Sequence, residues 1–388
     1  MLLAEIYIQD FMKLKLLYFV TEDSYFCSHR LALARAAKLA GYEVSVLTRE
    51  NEHGDVIRNE GFKLIPLNIS RGSINPLREL KTLVEIWRAY NMVKPDIVHH
   101  VALKPVLYGG VVTFLNKKIK VVNLIAGLGA VFSSSKLKAK LLQPFVKLLL
   151  RALFRRSSSR VVVQNSEDRL LLINDILINS GFVTLIKGSG VDTEAFPVRP
   201  FPEGRVRIAL VSRLLWDKGV GEFIEAVNIL KNRKIEFDAL LVGKPDNENI
   251  SSVSQQQLDQ WQQDGMVECT GFVGDIAGFW QRTHIAVLPS YYGEGIPKCL
   301  IEASSSGRPA VTTDTSGCNE IIRDGVNGFL VPVRDAFALA NALEKLIVDA
   351  SLREKMGALG RKMVEEEFSD KKIIAETLDV YQLVNRAA

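Results

Sequence analysis

The segment that decides the fold reads Arg205-Val-Arg-Ile-Ala-Leu-Val-Ser212, a short apolar run of the kind that forms a buried strand. It opens a series of β-rich runs that alternate with helical segments, and an earlier series opens at Lys15-Leu-Leu-Tyr-Phe-Val20. Such alternation predicts a parallel sheet covered by helices in each half. We therefore expect an α/β protein with two similar halves.

A stretch rich in Pro and Gly, residues 190–204, separates the two series and marks a linker. A chain of 388 residues is long enough for two domains that each bury a core. We predict an N-terminal domain over 1–195, a C-terminal domain over 196–369, and a last helix, 370–388, that crosses back to the first domain.

The composition, 47% hydrophobic and 24% charged residues, is typical of a globular protein. Four cysteines lack the spacing of a disulfide framework or a metal site, which favours a reducing cytoplasm. The amino end carries Glu5 and Asp10 where a signal peptide would be basic, so we expect an extension there, with Met12 as an alternative to Met1 as the start residue. No apolar run reaches the length of a membrane-spanning helix.

Two carboxylates flank a predicted junction between a loop and a helix. The run His284-Ile-Ala-Val-Leu-Pro-Ser290 predicts a buried strand, and Glu294 and Glu302 follow it, eight positions apart. Pro297 suits the first turn of the helix. A helix that starts at the carboxyl edge of a parallel sheet directs its positive dipole end at a ligand anion. The sequence therefore predicts a phosphate-bearing ligand at this edge.

Two cations leave the first strand of the second half in the segment Leu210-Val-Ser-Arg-Leu-Leu-Trp-Asp-Lys-Gly219. We expect Arg213 and Lys218 to lie at the same sheet edge as the helix start. Together these groups would bind a diphosphate and stabilise the charge that grows as it departs, each good contact contributing about 3 kcal/mol.

These segments share their order and spacing with a known family. Together with Leu241-Val-Gly243, Gly317 to Glu320 and Asn327-Gly-Phe-Leu-Val-Pro332, they resemble the carboxyl half of retaining glycosyltransferase family 4. The resemblance implies a GT-B fold, in which two Rossmann-like domains face each other across a cleft and the second domain binds a nucleotide sugar. It also implies transfer with retention of the anomeric configuration.

The resemblance assigns roles to individual residues. It implies that Arg213 and Lys218 hold the donor diphosphate, that Glu294 contacts the transferred sugar, and that Glu302 accepts hydrogen bonds from the ribose. It places the remaining donor contacts at Val273, Gly295, Ile296 and Pro297. No Asp-x-Asp metal motif stands out near a strand end, so we predict a reaction that needs neither a metal nor a cofactor.

The amino half gives weaker indications. His29 opens a helix and is predicted to act at the catalytic centre, while His100, Lys104 and Gly127 are predicted to contact the acceptor. Similar placements occur in relatives that build capsules, O-antigens and lipid-linked oligosaccharides. The chain departs from the family in Thr21-Glu-Asp-Ser-Tyr-Phe26, where many relatives have a glycine-rich loop, and it lacks the frequent His beside Gly127.

The positive charge of the chain is concentrated in one segment. Net charge is +5, yet residues 133–160 hold eight Lys or Arg and no acid. The stretch from Lys136 to Arg156 mixes these cations with leucines and predicts an interfacial helix on the inner face of the cell membrane, attracted to anionic lipid. An ordinary packing helix with a solvated face is the alternative.

The sequence predicts a cytoplasmic, membrane-associated glycosyltransferase that moves a hexose or N-acetylhexosamine from a nucleotide sugar, preferably a UDP-sugar, to a lipid-linked saccharide. Its pathway would be the biosynthesis of surface polysaccharide: capsule, O-antigen or lipopolysaccharide. Two alternatives stay open, a soluble GT-B transferase acting on a small sugar or glucan, and a non-catalytic membrane-bound partner of another transferase. Nucleic-acid binding is not favoured, because the basic cluster has few interleaved aromatic residues.

The singled-out residues also have ordinary explanations. The two carboxylates are possible solvated helix caps, and Arg213 is a possible surface ion-pair partner. Lys218 fits a solvated turn, His29 fits a cap or a packing contact, and His100 with Lys104 fits a solvated strand end.

Overall fold

The computed structural model of the protein describes residues 13–70, 75–114, 116, 118–128, 137–246, 248–291 and 295–386, and of residues 137–142 it describes the backbone. Within these ranges, thirteen strands form two sheets. The seven strands of the first sheet are β1 Lys15–Glu22, β2 Glu43–Arg49, β3 Lys63–Pro66, β4 Ile97–Val101, β5 Lys120–Ile125, β6 Ser159–Val163 and β7 Val183–Leu185. Their order across the sheet is β3-β2-β1-β4-β5-β6-β7, and β1 pairs in parallel with both β2 and β4.

The second sheet has six strands and the order β10-β9-β8-β11-β12-β13, with parallel pairing throughout. The strands are β8 Arg207–Val211, β9 Asp238–Val242, β10 Glu268–Gly271, β11 Ile285–Leu288, β12 Ala310–Thr313 and β13 Gly328–Val331. The chain leaves β8 toward β9 on one side and later fills β11 on the other. This reversal of strand order is the point at which open parallel sheets form a ligand crevice.

The helices lie between successive strands, except for the last three, which follow β13. They are α1 Asp23–His29, α2 Leu31–Leu39, α3 Gly54–Asn59, α4 Pro76–Val93, α5 Leu103–Phe114, α6 Leu137–Phe154, α7 Ser166–Asn174, α8 Val220–Asn232, α9 Gln255–Gln263, α10 Ile276–Gln281, α11 Lys298–Ser305, α12 Cys318–Ile321, α13 Ala336–Val348, α14 Ala350–Met363 and α15 Asp370–Arg386. Among the helices of the described ranges, none combines the length and the apolar content that crossing a bilayer requires.

The chain forms two compact units. The first comprises residues 1–123, 156–159 and 380–388, and the second comprises 124–155 and 160–379. The expectation of an α/β protein with two parallel sheets is confirmed. The predicted domain limits, 1–195, 196–369 and 370–388, stay predictions.

Each unit has its own apolar core. In the first unit, Leu17, Phe19 and Val98 of the central strands pack against Ile86 and Tyr90 of α4. In the second, the six-stranded sheet is buried on both faces, and each face has a cluster of its own. Ile208, Leu210 and Phe223 belong to one cluster, and Ala209, Leu288 and Leu300 belong to the other. Burial on both faces explains why these strands read as continuous apolar runs rather than alternating ones.

A close backbone approach joins the ends of β8 and β9. Gly243 follows β9 with a φ of 130°, and a Cβ built there would lie 1.9 Å from the carbonyl oxygen of Ser212. Only glycine fits this position, because the φ is rarely adopted by L side chains and the space is filled. The loop that carries Arg213 is therefore held against the end of β9.

Replacing Gly243 with Ala is expected to lower the free energy of unfolding by about 2 kcal/mol or more, through backbone strain and the clash with Ser212. Urea unfolding measures the change. Gly274→Ala is the matched control, since a Cβ there meets nothing within 4 Å. Equal losses in the two variants would contradict the close approach.

Candidate functional site

The loop that follows β8 carries the two predicted cations. Lys218 ends a short 3₁₀ turn, Trp216–Lys218, and Gly219 follows it with a φ of 76°. A Cβ on Gly219 would lie 2.1 Å from the carbonyl oxygen of Pro289, so this loop packs directly on the end of β11. A side chain at position 219 would force the two loops apart.

Hydrogen bonds fix the same two loops side by side. The carbonyl oxygen of Asp217 accepts from the backbone N–H of Tyr291 at 3.2 Å and from the Ser290 hydroxyl at 3.1 Å. Because β8 and β11 are neighbours in the sheet, the loop that carries Lys218 and the segment that follows β11 toward α11 leave the same sheet edge. The structure thus brings together two elements that lie 80 residues apart in the sequence.

Helix α11 begins as predicted, with Pro297 as its N-cap residue at a φ of −64°. The positive end of its dipole faces the segment Gly295 to Pro297. Gly295 lies close to another strand end, because a Cβ there would come within 2.3 Å of Oε1 of Gln164. The Ile296 side chain is buried in the core, so any donor contact at this position falls to its backbone.

Glu302 lies on the second turn of α11 and is buried. Burial raises the pKa of its carboxyl group, and the ammonium group of Lys298, 3.6 Å from Oε1, opposes that rise. A buried carboxylate next to a cation is a strong hydrogen-bond acceptor. Lys298 is a further cation, at the first position of α11, and no motif in the sequence points to it.

Arg213 is directed at a carboxylate in the structure. Its Nη1 lies 2.6 Å from Oδ2 of Asp246, on the loop after β9, and its side chain is 52% exposed. An exposed ion pair of this kind contributes about 1 kcal/mol or less to stability. The guanidinium can therefore exchange partners at little cost.

Val273 follows β10 and is half-buried against the core cluster that also holds Ile296. Its neighbour Phe272 is largely exposed, with the ammonium of Lys244 5.8 Å from the ring centroid. These residues form an apolar rim beside the end of β9. Glu294, the predicted sugar contact, lies outside the described residues.

Helix α1 follows β1 directly and begins with a buried carboxylate, Asp23. Asp23 accepts from the backbone N–H of Ser24 at 2.7 Å, of Asn51 at 2.6 Å and of His53 at 3.0 Å. N–H groups of this kind would bind a phosphate in a glycine-rich loop. Here the protein's own carboxylate occupies them, which gives a physical reason for the departure at Thr21 to Phe26.

His29 ends α1 and is half-buried. Its ring stacks on Tyr25 with centroids 4.1 Å apart, and Nδ1 lies 2.7 Å from the Ser28 hydroxyl. The imidazole is therefore held in one orientation near the end of β1. Its catalytic role stays a prediction.

His100 is a core residue in this structure. It is fully buried, and its ring nitrogens lie 2.8 Å from the Tyr90 hydroxyl and 2.8 Å from Oδ1 of Asn123. Burial lowers its pKa to about 4, although the bond to Asn123 opposes the shift. This geometry does not favour the predicted acceptor contact, because both nitrogens are occupied and no ring edge reaches solvent.

The other two predicted acceptor residues lie in different units. Lys104, in the first unit, has its ammonium 2.9 Å from Glu79 and donates to the carbonyl of Ser70 at 2.6 Å. Gly127, in the second, has a φ of 99° and precedes Leu128, whose N–H donates to the buried carboxylate of Asp168. Their acceptor roles stay predictions.

Two family models match the chain. The model described as "Glycosyl transferase 4-like" matches residues 15–165, and the model described as "Glycosyl transferases group 1" matches residues 205–349. The protein belongs to the glycosyltransferases. The two matches together leave unassigned little more than the ends of the chain and the segment around the predicted linker.

Several curated relatives of this glycosyltransferase are similar over most of their length. The N,N'-diacetylbacillosaminyl-diphospho-undecaprenol alpha-1,3-N-acetylgalactosaminyltransferase of Campylobacter jejuni is 28% identical over 84% of this chain and 87% of its own. The capsular polysaccharide biosynthesis glycosyltransferase CapM of Staphylococcus aureus is 24% identical over 91% of this chain and 96% of its own. The predicted kinship with capsule and lipid-linked oligosaccharide transferases is confirmed.

Solved structures confirm the GT-B fold. A glycosyltransferase from Rickettsia africae superposes with a TM-score of 0.77 at 19% identity, covering 97% of this chain and all of that one. Anabaena Alr3699/HepE, in complex with UDP and glucose, gives a TM-score of 0.75 at 16% identity, covering 95% of this chain and 99% of that one. At such low identities the likeness establishes architecture alone.

The environment of His100 in the glycosyltransferase predicts a pH dependence of stability. The unfolded chain takes up a proton at this residue below about pH 6.5, whereas the folded protein does so only near pH 4. Its contribution is therefore fully present above pH 6.5 and is lost as pH falls through that window, by about 1.4 kcal/mol per pH unit.

His100→Gln is expected to reduce the slope of unfolding free energy against pH by this amount within the window. Urea unfolding at a series of pH values measures the slope for both proteins. At pH values above the window the two slopes should agree, which is the internal control. An unchanged slope in the acid range would show that the folded protein protonates His100 as readily as the unfolded chain.

Proposed function

We propose that this glycosyltransferase transfers a hexose or an N-acetylhexosamine, with retention, from a nucleotide sugar to a lipid-linked saccharide during surface polysaccharide biosynthesis. A UDP-sugar is the preferred donor. The observation that carries the proposal is the junction of the Lys218 loop with the segment Pro289 to Tyr291, after β11, at the strand-order reversal of the six-stranded sheet.

The donor diphosphate would lie between Lys218 and the first turn of α11. The dipole of the helix and the ammonium group of Lys298 add positive potential at the same point. Arg213 would leave Asp246 for the diphosphate, because a charge-assisted pair with a doubly charged ligand outweighs a weak exposed ion pair. The cations would stabilise the leaving group without a metal ion.

The nucleoside would occupy the neighbouring edge of the sheet. The Glu302 carboxylate would accept hydrogen bonds from the ribose hydroxyls, and its burial beside Lys298 supports this role. The base would lie against the half-buried Val273. Gly295, Ile296 and Pro297 would contribute backbone contacts, since the Ile296 side chain belongs to the core.

Retention would follow from a front-face displacement in which the departing phosphate helps to deprotonate the acceptor hydroxyl. Glu294 would contact the transferred sugar, and His29 would act from the end of α1. Lys104 and Gly127 would contact the acceptor, with His100 positioning the end of β4 from within the core.

A lipid-linked acceptor is supported by the relatives. The Campylobacter jejuni enzyme and an Escherichia coli galactosyltransferase, 22% identical over 80% of this chain and 81% of its own, are both named for substrates that contain a diphospho-undecaprenol group. We propose that helix α6 holds the protein at the membrane surface. Phe145 and Leu148 on this helix are largely exposed, while Leu150 and Phe154 are buried.

Arg213→Ala and Lys218→Ala are each expected to lower kcat/KM for the donor by about a hundredfold, the loss typical of removing one contact to developing charge. Arg207→Ala is the matched control, because Arg207 is also exposed and pairs with an Asp of the neighbouring strand, but at the start of β8. Transfer of radiolabelled sugar to a lipid-linked acceptor measures the rate. Unchanged rates in both test variants would remove the diphosphate model.

Glu302→Gln is expected to weaken binding of the nucleotide sugar by about tenfold while leaving the KM for the acceptor unchanged. A screen of nucleotide sugars for thermal stabilisation identifies the donor, because a ligand that binds only the folded state raises Tm. The same assay compares the variant with the parent. Loss of acceptor affinity at constant donor affinity would refute the ribose assignment.

A further inference from the structure

Helix α4, in the first unit, presents a stripe of apolar side chains to solvent. Leu77, Leu80, Val84 and Trp87 recur at intervals of three and four residues and so share one face. Leu77 is 80%, Leu80 is 60% and Trp87 is 52% exposed. Apolar residues in a row at this exposure are uncommon on a soluble surface unless the surface binds something.

The stripe has no part in holding the helix to its own unit. The opposite face carries Ile86, Ala89, Tyr90 and Val93, which are buried in the core beneath the seven-stranded sheet. The helix is therefore anchored by one face and leaves the other for a different contact.

Helix α5 packs against α4 and also exposes apolar side chains, Val111 and Phe114. A cavity of about 220 Å³ opens nearby, lined by Trp87, Tyr90, Asn91, Val112, Asn116 and Ile119. The cavity combines apolar walls with amide groups, and such a lining suits a ligand that has both apolar and polar parts.

The charges on this surface are mostly positive. Arg78, Lys81 and Arg88 are exposed along α4. The two acids of the helix are engaged at its sides, since Glu79 binds Lys104 and Tyr108, and Glu85 accepts from the backbone N–H of Asn68 at 3.3 Å. The outward face therefore offers leucines, a tryptophan and cations.

We propose that the outward face of α4, with Val111 and Phe114 of α5, is a binding surface for an anionic lipid bilayer, distinct from helix α6. Leucine and tryptophan partition to the boundary between headgroups and acyl chains, while Arg and Lys attract anionic headgroups. A second copy of the chain fits less well, because a two-fold contact would bring the cationic rows of both copies together.

The position of the surface gives it a use that rests on the proposed function. Glu79, in the first turn of α4, binds Lys104, which follows β4 and is a proposed acceptor contact. The amino end of the apolar stripe therefore borders the edge of the first unit that would receive the acceptor. A bilayer seated on α4 would present a lipid-linked saccharide at that edge.

The test compares three variants in a flotation assay with vesicles of phosphatidylcholine mixed with phosphatidylglycerol, and with vesicles of phosphatidylcholine alone. The first replaces the apolar stripe, Leu77→Ser with Leu80→Ser and Trp87→Ser, and the second neutralises Arg78, Lys81 and Arg88 as Gln. The control is Leu39→Ser, an 88% exposed leucine on α2 of the same unit. Thermal unfolding checks that each variant is folded.

Both test variants are expected to bind the anionic vesicles about tenfold less tightly, and the control to bind like the parent. The charge variant should differ from the parent on anionic vesicles only. Parent-like binding by both folded test variants would overturn the proposal. The proposal would also be overturned if light scattering showed that the test variants change their oligomeric state in the absence of lipid, and if that change accounted for their weaker binding.

Trp87 supplies a second readout. Lipids brominated on the acyl chains should quench the tryptophan emission of the parent, and Trp87→Phe should lose that quenching while it still floats with the vesicles. Persistent quenching in Trp87→Phe would place the inserted tryptophan elsewhere and contradict the proposal.

Transfer assays separate this proposal from the proposed function. The α4 variants should keep full transfer to a short, water-soluble acceptor and lose transfer to an acceptor embedded in vesicles. Absence of any transfer by the parent, together with weakened vesicle binding by the α4 variants, would refute the function and support the surface. Normal transfer by the parent, together with unaltered vesicle binding by the α4 variants, would support the proposed function and refute the binding surface.

Discussion

The contact of Gly219 with the carbonyl of Pro289 constrains the rest of the candidate site. It allows the loop after β8 to lie on the end of β11, and the Asp217 carbonyl then accepts from both Ser290 and Tyr291. On the other side, Gly243 brings the same loop against the end of β9. The backbone that carries Lys218 is thus held from both neighbouring strands, so its position depends on main-chain packing rather than on its own side chain.

Two of the cations at this edge lie near carboxylates. Arg213 pairs with Asp246 in an exposed position, and Lys298 lies near Glu302 at 3.6 Å, beyond a tight hydrogen bond. Pairs of this kind hold the side chains in place without a large stabilisation. An anion with two negative charges can therefore recruit the cations, and the carboxylate of Glu302 becomes available to hydroxyl donors.

The sequence predicted the parts of this arrangement that follow from local rules. Alternating strands and helices placed Lys218 and Pro297 at one sheet edge, because parallel strands share their carboxyl ends. It did not predict the environment of His100, since Tyr90 and Asn123 come from other elements and nothing local shows which face of β4 meets them. The exposure of the apolar stripe on α4 could not be predicted from the sequence for a similar reason. Its helix is apolar on two faces, and only packing shows which is covered.

The two units differ in the groups that they offer to a negatively charged ligand. In the second, N–H groups and cations at the sheet edge surround a position that a diphosphate would fill. In the first, the Asp23 carboxylate, directly after β1, occupies the N–H groups of Asn51 and His53 in the loop after β2, so an acceptor phosphate would be repelled there. If the acceptor carries a lipid diphosphate, as proposed, its negative charge must be balanced by side chains, and Lys104 with the cations of α4 lie in this unit. An acceptor that is anchored in an anionic bilayer needs such an arrangement, because the surface that binds the lipid and the residue that meets the diphosphate have to be neighbours.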